Sequence, residues 1–404
     1  MYVTALNTND ARNRNLAAVF DAIRDRAGAS RKEIGLDMPF SLQTMTNVVQ
    51  ELIGIGLVEE VERTGARIRG NPHRGLKVVA DRGYALGIQF RWNACLSVLV
   101  DLDYKVRDIR TTPIDVPQSD IDGYLARLEA VILGLIESYA GKDIWTVGVS
   151  GPLPIEVPNM PSHTLSLPRL WTDQRWFQSF AASVGTATLR TRLERTTGLP
   201  VRLLNNSQAA ALAQSMILPA EARFVYVLAG LGLGASYVCG RALSQDVWKH
   251  GGEIGHVIYR GRTLSSVMSA SGLRESIKLD LPQGEMEATL EHLAAHNQAV
   301  FEPWLDETAP ILRFLVNFVE AAMWPDGIAM GGFMPTVLID QLIARAYPLS
   351  DSVVPPDGDP RRLMPRLFRA KRGAEAIPLG AAVSTLSHSA NPELPNLIAR
   401  RRVA

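Results

Sequence analysis

The sequence predicts an N-terminal winged helix-turn-helix domain followed by an α/β body of two lobes. Three observations predict this fold class. Two short helices, each preceded by a serine, lie between Ser30 and Val58, and a glycine-rich basic stretch follows at 63–79. Two similar successions of strands and helices then fill the rest of the chain. Such successions are typical of α/β layers, and a cleft between two of them is a usual place for a ligand.

The first observation is the pair of capped helices. Ser30 is followed three residues later by Glu33, which is the spacing of a capping box. Pro39 ends this first helix because it has no amide hydrogen, and Ser41 caps the next helix. Apolar residues at helical spacing predict that the second helix faces a small core through Leu42, Met45, Val48, Val49, Leu52 and Ile53.

The opposite face of the second helix carries uncharged polar side chains, which can exchange hydrogen bonds with base edges in a major groove. The predicted DNA-contacting residues of this helix are Ser41, Gln43, Thr44, Thr46 and Asn47. A preceding helix over 13–27, after a disordered or arm-like start at 1–11, completes a three-helix domain. On these residues alone, an ordinary helical hairpin is equally compatible with the pattern.

The basic stretch favours the DNA-binding interpretation. Residues 63–79 include no acidic side chain, and their glycines separate two strand-like runs at 57–61 and 76–79. This pattern predicts a β-hairpin wing whose arginines contact phosphates, namely Arg67, Arg69 and Arg74. The alternative is a basic hairpin that is simply solvated.

Composition limits the remaining classes. The 404 residues are 47% hydrophobic and 21% charged, with a net charge of +1, so any attraction to nucleic acid must be local. Cys95 and Cys239 lie in apolar runs, which predicts two buried thiols in a reducing compartment. No apolar run approaches the roughly 20 residues of a membrane span, and the start lacks a signal-peptide core. We therefore expect a cytoplasmic protein.

The two successions of elements define the predicted lobes. We expect the head domain at 1–80, a first lobe at 81–204 and a second lobe at 205–404, with the last helix packing back on the first lobe. The predicted strands lie at 84–90, 94–102, 105–114, 145–151, 200–204, 224–229, 235–240 and 327–332. The predicted helices of the body lie at 121–139, from Ser207, and at 285–296, 302–323, 335–346 and 374–387.

Short motifs in the body carry a resemblance to a known family. They are Asn205-Asn206-Ser207-Gln208, the turn Gly230-Leu231-Gly232-Leu233-Gly234, Gly252-Glu253-Ile254-Gly255-His256, and Gly331-Gly332. Together with the head they resemble the ROK family of repressors and sugar kinases, and most closely its sugar-responsive transcriptional regulators of the NagC and Mlc kind. The resemblance implies that the body has the two-lobed, actin-like ATPase/sugar-kinase (ribonuclease H-like) fold.

The sequence departs from the family kinases where those enzymes bind and transfer phosphate. Gln89, Arg91 and Trp92 stand in place of the acid and glycines of the first phosphate loop. Asn206 stands at the position of the catalytic aspartate, and an amide cannot accept the proton of a sugar hydroxyl. We therefore expect no kinase activity. A further hypothesis is that Arg91 receives an anionic group of a ligand, such as a phosphate or carboxylate, and the alternative is a surface arginine.

The resemblance also concerns a metal and a ligand. In the family a histidine joins three cysteines around zinc, but 264–273 contains no cysteine, so we expect no metal and no cofactor. His256 is then expected to be a hydrogen-bonded histidine that holds its loop. The resemblance implies an effector site whose residues contact sugar hydroxyl groups, made of Asn205, Asn206, Glu253, His256 and Glu275.

These expectations combine into one functional hypothesis and two rivals. The hypothesis is a DNA-binding transcriptional regulator, a repressor of carbohydrate-metabolism genes. It would bind double-stranded operator DNA as a homodimer, or as a tetramer, and respond to a sugar or sugar derivative between the lobes. The first rival is a ROK-type sugar kinase with an appended DNA-binding domain. The second is a scaffold protein whose cleft docks another protein.

Overall fold

The computed structural model describes residues 8–39, 41–62, 74–91, 93–116, 120–151, 186–244, 252–279, 286–371, 373, 375–391 and 393–400. Several predictions concern positions outside these ranges. They are the disordered start, apart from its last residues, and the side chains of Arg67, Arg69 and Trp92.

The head is the part of the chain over 8–78, and it has the predicted order of elements. Its helices are α1 (Thr8–Asp25), α2 (Arg31–Gly35) and α3 (Leu42–Gly54), and its strands are β1 (Val58–Val61) and β2 (Gly75–Val78). The capping box of Ser30 and Glu33 is present, and the Ser41 hydroxyl accepts a hydrogen bond from the amide of Thr44. β1 and β2 form an antiparallel hairpin, which confirms the two strands of the predicted wing.

Two details of the head differ from the prediction. Helix α1 begins at Thr8, well before residue 13, because its first turn is polar and so shows no apolar periodicity. Leu42 was assigned to the core and is instead exposed, since it is the first residue of α3 and projects past the packed stripe. The other stripe residues Met45, Val48, Val49 and Leu52 are buried as expected.

The first lobe is a mixed sheet with helices. Its strands β3 (Tyr84–Phe90), β4 (Ala94–Asp101), β5 (Val106–Pro113), β6 (Ile144–Gly151) and β7 (Val201–Asn205) lie in the order β5-β4-β3-β6-β7. The first three are antiparallel, and β6 and β7 run parallel to β3. The helices are α4 (Ile121–Ser138) and α5 (Thr186–Thr197), and helix α6 (Asn206–Ser215) leads away from β7.

The second lobe repeats this topology. Strands β8 (Arg223–Ala229), β9 (Leu233–Cys239), β10 (Ala242–Leu243), β13 (Gly327–Gly332) and β14 (Leu367–Arg369) lie in the order β10-β9-β8-β13-β14. Again three strands are antiparallel and two run parallel to the first. A small hairpin of β11 (Ile258–Tyr259) and β12 (Arg262–Thr263) and helices α7 (Ser265–Met268), α8 (Ala270–Ser276), α9 (Met286–His296), α10 (Glu302–Met323) and α11 (Thr336–Ala346) complete the lobe.

Two C-terminal helices connect the parts. Helix α12 (Ala376–Leu386) packs across β3 and β6 of the first lobe and against α6. Its backbone passes so close to the sheet that a side chain on Gly148 would meet the carbonyl group of Ala381. Helix α13 (Leu394–Arg400), which the sequence pattern did not predict, packs on α1. One hydrophobic cluster therefore joins the head, the first lobe and both C-terminal helices.

The cysteines and the membrane criterion complete the fold. Cys95 is buried, and burial raises the pKa of its thiol to about 12. The expectation of a second buried thiol is wrong, because Cys239 ends β9 and is exposed, and both cysteines are unpaired. Among the described helices, none combines the length and the apolar character that crossing a bilayer demands.

Candidate effector site and DNA interface

The predicted effector residues lie around the start of α6 and the loop after β10. Asn205 is the N-cap of α6, and its side-chain oxygen accepts hydrogen bonds from the Gln208 amide (2.8 Å) and the Ser207 hydroxyl (2.9 Å). The helix was predicted to start at Ser207 and starts one residue earlier for this reason. The Asn205 oxygen is thus engaged in capping, which leaves its amino group for a ligand.

Asn206 lies where the carboxyl ends of two parallel strands meet, a common place for ligands in α/β folds. Its side-chain oxygen accepts a hydrogen bond from the hydroxyl of Ser150 at the end of β6 (3.0 Å). Asn206 is partly buried, and the hydrogen bond fixes the orientation of its amide. A neutral amide in this position can bind a hydroxyl group but cannot act as a general base.

Ala235 on β9 connects the Asn206 region to the Gly252 loop. Its carbonyl oxygen accepts a hydrogen bond from the Ser207 hydroxyl (3.2 Å), and its amide donates one to the Gly252 carbonyl (2.7 Å). Gly252 has φ of +103°, and a Cβ there would collide with the Ala235 carbonyl group. Asn206 and Glu253 are therefore each next in sequence to a residue that bonds Ala235.

The other predicted effector residues are more exposed. The Nε2 atom of His256 lies 3.7 Å from a carboxylate oxygen of Glu253, with both side chains largely in solvent. This separation is too long for a hydrogen bond, so Glu253 is not the hydrogen-bond partner that was expected for His256. Glu275 is exposed in α8 and, among the described residues, makes no hydrogen bond or ion pair with the other four. Hydrogen bonds through Ala235 thus link the neighbours of Asn206 and Glu253, and among the described residues Glu275 makes no hydrogen bond to this set.

The segment that carries zinc ligands in the family is packed by apolar side chains in this chain. Val267, Met268 and Leu273 are buried in the core of the second lobe, and the hydroxyl of Ser265 accepts a hydrogen bond from the Leu233 amide (3.2 Å). In the part of the chain that the structure describes, no group of three histidine, cysteine or acidic side chains could hold a metal ion. The residues present do not fit a tetrahedral zinc site.

The segment that follows β3 in the first lobe contacts the second lobe. Arg91, just after β3, forms an ion pair with Glu287 of α9 (2.8 Å) and lies over the ring of Phe333 after β13 (4.6 Å to the centroid). We call these three residues the lobe bridge. Arg91 was expected to be available for a ligand anion, and it instead has an acidic partner 196 residues away in sequence.

Two further side chains, Gln89 and Leu231, are packed inside the protein. Gln89 is fully buried, and its carbonyl oxygen accepts a hydrogen bond from Arg91 (3.4 Å). Leu231 packs against the hydrophobic cores of both lobes. Gln89, Arg91 and Leu231 are therefore all held by contacts within the chain.

A surface cavity of about 560 Å³ lies elsewhere, on the first lobe. It is lined by Asp81, Tyr84, Leu99, Arg107, Asp108, Tyr139 and Lys142. None of the predicted effector residues lines it. Its lining residues lie on other elements than those that carry Asn206 and Glu253, so we do not assign the effector to this cavity.

The predicted DNA-contacting residues lie on the outer face of α3. Gln43 and Asn47 are exposed and joined to each other by a hydrogen bond (3.2 Å), which leaves one oxygen and one amino group free for bases. Ser41 and Thr44 bond to each other at the cap (3.0 Å), and the Thr46 hydroxyl donates to the Leu42 carbonyl (2.9 Å). These three hydroxyl groups are used locally, so Gln43 and Asn47 are the better candidates for base contacts.

The wing contributes one described arginine. Arg74 is exposed and pairs with Glu60 (2.8 Å), which also pairs with Arg31 of α2 (2.6 Å). Two arginines on one carboxylate leave a net positive charge between the wing and α2. This local charge is compatible with a phosphate contact.

Comparisons with known proteins agree with the fold. No protein-family model matches the chain. An uncharacterised protein of Sinorhizobium fredii, y4fQ, is 23% identical over 352 residues, which are 81% of this chain and 80% of that protein.

Solved structures resemble the chain more extensively. A ROK family transcriptional regulator, homologous to the E. coli MLC protein, matches 98% of this chain and 100% of its own with a TM-score of 0.68 and 19% identity. The ROK glucokinase of Streptomyces griseus, solved with glucose and AMPPNP, matches 74% of this chain and 98% of its own (TM-score 0.54, 17% identity). The ROK hexokinase of Thermus thermophilus matches 76% and 98% (TM-score 0.51, 20% identity).

These matches define the class of fold. The body has the two-lobed, actin-like α/β fold that ROK regulators and ROK kinases share. The structures that the chain resembles are members of the ROK family, as its motifs predicted.

Proposed function

We propose that the protein is a ROK-type, DNA-binding transcriptional regulator that represses carbohydrate-metabolism genes in the cytoplasm. It binds operator DNA as a homodimer, and a sugar or sugar derivative between the lobes controls its affinity. The observation that carries the proposal is the helix-turn-helix head, whose exposed face on α3 presents Gln43 and Asn47 while its core is continuous with the body. Uncharged amides on the first turns of such a helix are suited to base contacts.

Coverage supports a regulator over a kinase. The ROK regulator structure matches 98% of the chain, whereas the two kinases match 76% and 74% and leave about a quarter unmatched. A kinase body alone therefore does not account for the head.

Cleft chemistry supports the same choice. Asn206 offers no general base for phosphoryl transfer, and the Arg91 side chain is paired with Glu287 of the other lobe. An ADP-release assay with a panel of sugars is expected to give background rates for the wild type and for Asn206→Asp. Turnover by the wild type would instead favour the kinase with an appended head.

Strand β9 offers a physical route from the effector to the head. Its Ala235 bonds to the Ser207 and Gly252 regions, and the turn that follows β9 places Arg241 in an ion pair with Asp25 of α1. A ligand that draws the lobes together shifts this turn against the head. Paired recognition helices must lie about 34 Å apart on DNA, so a modest rotation removes one half-site contact. The ligand acts through its different affinity for the two arrangements.

The deciding experiment measures DNA binding with and without sugars. Duplexes selected from a randomised library by the full-length protein are titrated by fluorescence anisotropy at fixed salt. We expect at least one sugar or sugar phosphate to change the affinity. If none does, the effector site is wrong, and if no duplex is selected, the regulator proposal is wrong.

Variants separate the two parts of the DNA interface. Arg67→Ala is expected to weaken binding to all duplexes and to reduce the salt slope by about one. Asn47→Ala is expected to relax sequence preference, with a cost of about 1–3 kcal/mol at one base pair. Equal effects from both variants would contradict the assignment of α3 and the wing.

A further inference from the structure

The helix-turn-helix exposes two leucine side chains. Leu36 is 76% exposed and Leu42 is 63% exposed, and with Ile258 they are the most exposed large hydrophobic residues in the described part of the chain. Single exposed leucines are common on protein surfaces. Two of them at either end of the turn between α2 and α3 are a local concentration of apolar surface.

Leu42 is placed within the proposed DNA-contacting face. It is the first residue of α3, next to the cap Ser41 and to Gln43, and its Cδ2 atom lies beside Gly35 of α2. One turn later lies Thr46, whose hydroxyl is bonded to the Leu42 carbonyl. The Thr46 hydroxyl thus already donates its hydrogen bond within the helix. The methyl groups of Leu42 remain exposed at this end of the helix.

Leu42 can recognise a feature of the bases that the polar side chains Gln43 and Asn47 cannot. Gln43 and Asn47 are bonded side by side on the adjacent strip of the helix, and they can recognise hydrogen-bonding groups of bases. A thymine presents one further feature in the major groove, its 5-methyl group, which an apolar side chain recognises and an amide does not. A recognition helix enters the groove with its N-terminal residues, so Leu42 is among the first to meet the bases.

We propose that Leu42 is a specificity-determining residue that packs against the 5-methyl group of a thymine in each half-site. The inference rests on the proposed DNA-binding function and goes beyond it by naming one base and one atom. Burial of a single methyl group corresponds to an affinity change of about four-fold.

The experiment removes that methyl group from the DNA. In a duplex selected by the full-length protein, each thymidine in turn is replaced by deoxyuridine, which keeps every hydrogen-bonding group. Dissociation constants are measured by fluorescence anisotropy at fixed salt. For the wild type we expect about a four-fold loss at one thymine of each half-site.

Variants assign the effect to Leu42. Leu42→Ala is expected to bind the thymidine and deoxyuridine duplexes equally, whereas Leu42→Met keeps the preference because it keeps apolar contact. Leu36→Ala is the matched control, because Leu36 is an even more exposed leucine at the end of α2, and this variant should keep the preference. Since Leu42 is exposed and Ala favours helix, Leu42→Ala is expected to fold, and its melting temperature checks this.

Three outcomes overturn the inference. They are equal wild-type affinity for every deoxyuridine duplex, a retained preference in Leu42→Ala, and loss of the preference in Leu36→Ala. In each of these cases the protein still binds DNA, so the proposed function survives. If the wild type selects no duplex at all, the inference falls together with the proposed function.

Discussion

Two of the junctions between the parts of this molecule are built differently. At the joint between head and body, Arg24 of α1 is buried, donates to the Leu386 carbonyl (3.1 Å) and to the Tyr104 hydroxyl, and pairs with Asp21 (3.2 Å). At the lobe bridge, Arg91 and Glu287 also pair, but their side chains are 26% and 41% exposed. The Arg24 and Asp21 side chains are 3% and 17% exposed, so the joint between head and body is the more buried of the two junctions.

This difference indicates where the molecule can move. Breaking a buried ion pair leaves a charge without compensation, which is costly, whereas an exposed pair contributes little. The head should therefore move with the first lobe and the C-terminal helices as one unit, while the lobes open and close at the bridge. The proposed ligand between the lobes would then have to change only the weaker of the two junctions.

The largest expected effect is at the joint. Arg24→Met should lower the free energy of unfolding by about 3 kcal/mol, because it removes the hydrogen bonds to Tyr104 and Leu386 and leaves the charge of the partly buried Asp21 without its cation. Urea unfolding at neutral pH measures this change. The matched control is Arg26→Met, two residues after Arg24, which removes a more exposed ion pair with Asp37. It should lower the free energy of unfolding by less than about 1 kcal/mol. Equal losses of unfolding free energy in both variants would mean that the ion pair at the joint stabilises the protein no more than a surface pair does.

The next effect is at the lobe bridge. A double-mutant cycle with Arg91→Ala and Glu287→Ala should give a coupling energy of about 1 kcal/mol, and it should shrink in 1 M salt. The exposed pair Arg190 and Glu194 on α5 provides a reference cycle, expected at about 0.3–0.5 kcal/mol. A coupling energy above about 3 kcal/mol at the bridge would place it with the buried joint and would argue against easy opening.

The smallest expected effect is a pH dependence at the joint. His388 donates its backbone amide to Asp21 (2.6 Å), and partial burial lowers the pKa of its ring, although the Asp21 charge opposes this. The unfolded chain then binds the proton more readily, so stability falls as the pH decreases through the ordinary value of 6.5. Melting temperatures at pH 7.5 and 5.5 should differ less in His388→Gln than in the wild type. A larger difference in His388→Gln than in the wild type would contradict the predicted direction of this pH dependence.

Local signals in the sequence were sufficient for much of the fold. Ser30 and Glu33 form their capping box within three residues, and the strand over 84–90 was predicted at its observed bounds. Asn205 shows the limit of motif reasoning, since the same side chain that matches a ligand-binding position also caps α6. A motif identifies the place but not which atoms remain free.

Contacts between distant residues could not be predicted in this way. Arg91 meets Glu287 across 196 positions, and Arg24 meets Tyr104 across 80. Helical periodicity also gave Leu42 to the core, because periodicity gives the direction of a side chain but not where the neighbouring helices end. These errors concern the cleft and the DNA face, which are the regions where function is proposed.

The packing of α13 on α1 has a consequence for synthesis. The first helix of the head leaves the ribosome early, but Leu394, Leu397 and Ile398 belong to the hydrophobic cluster that covers it. Until translation reaches these residues, the apolar side of α1 lacks part of its cover. A nascent or prematurely terminated chain therefore carries a helix-turn-helix head whose hydrophobic core is incomplete.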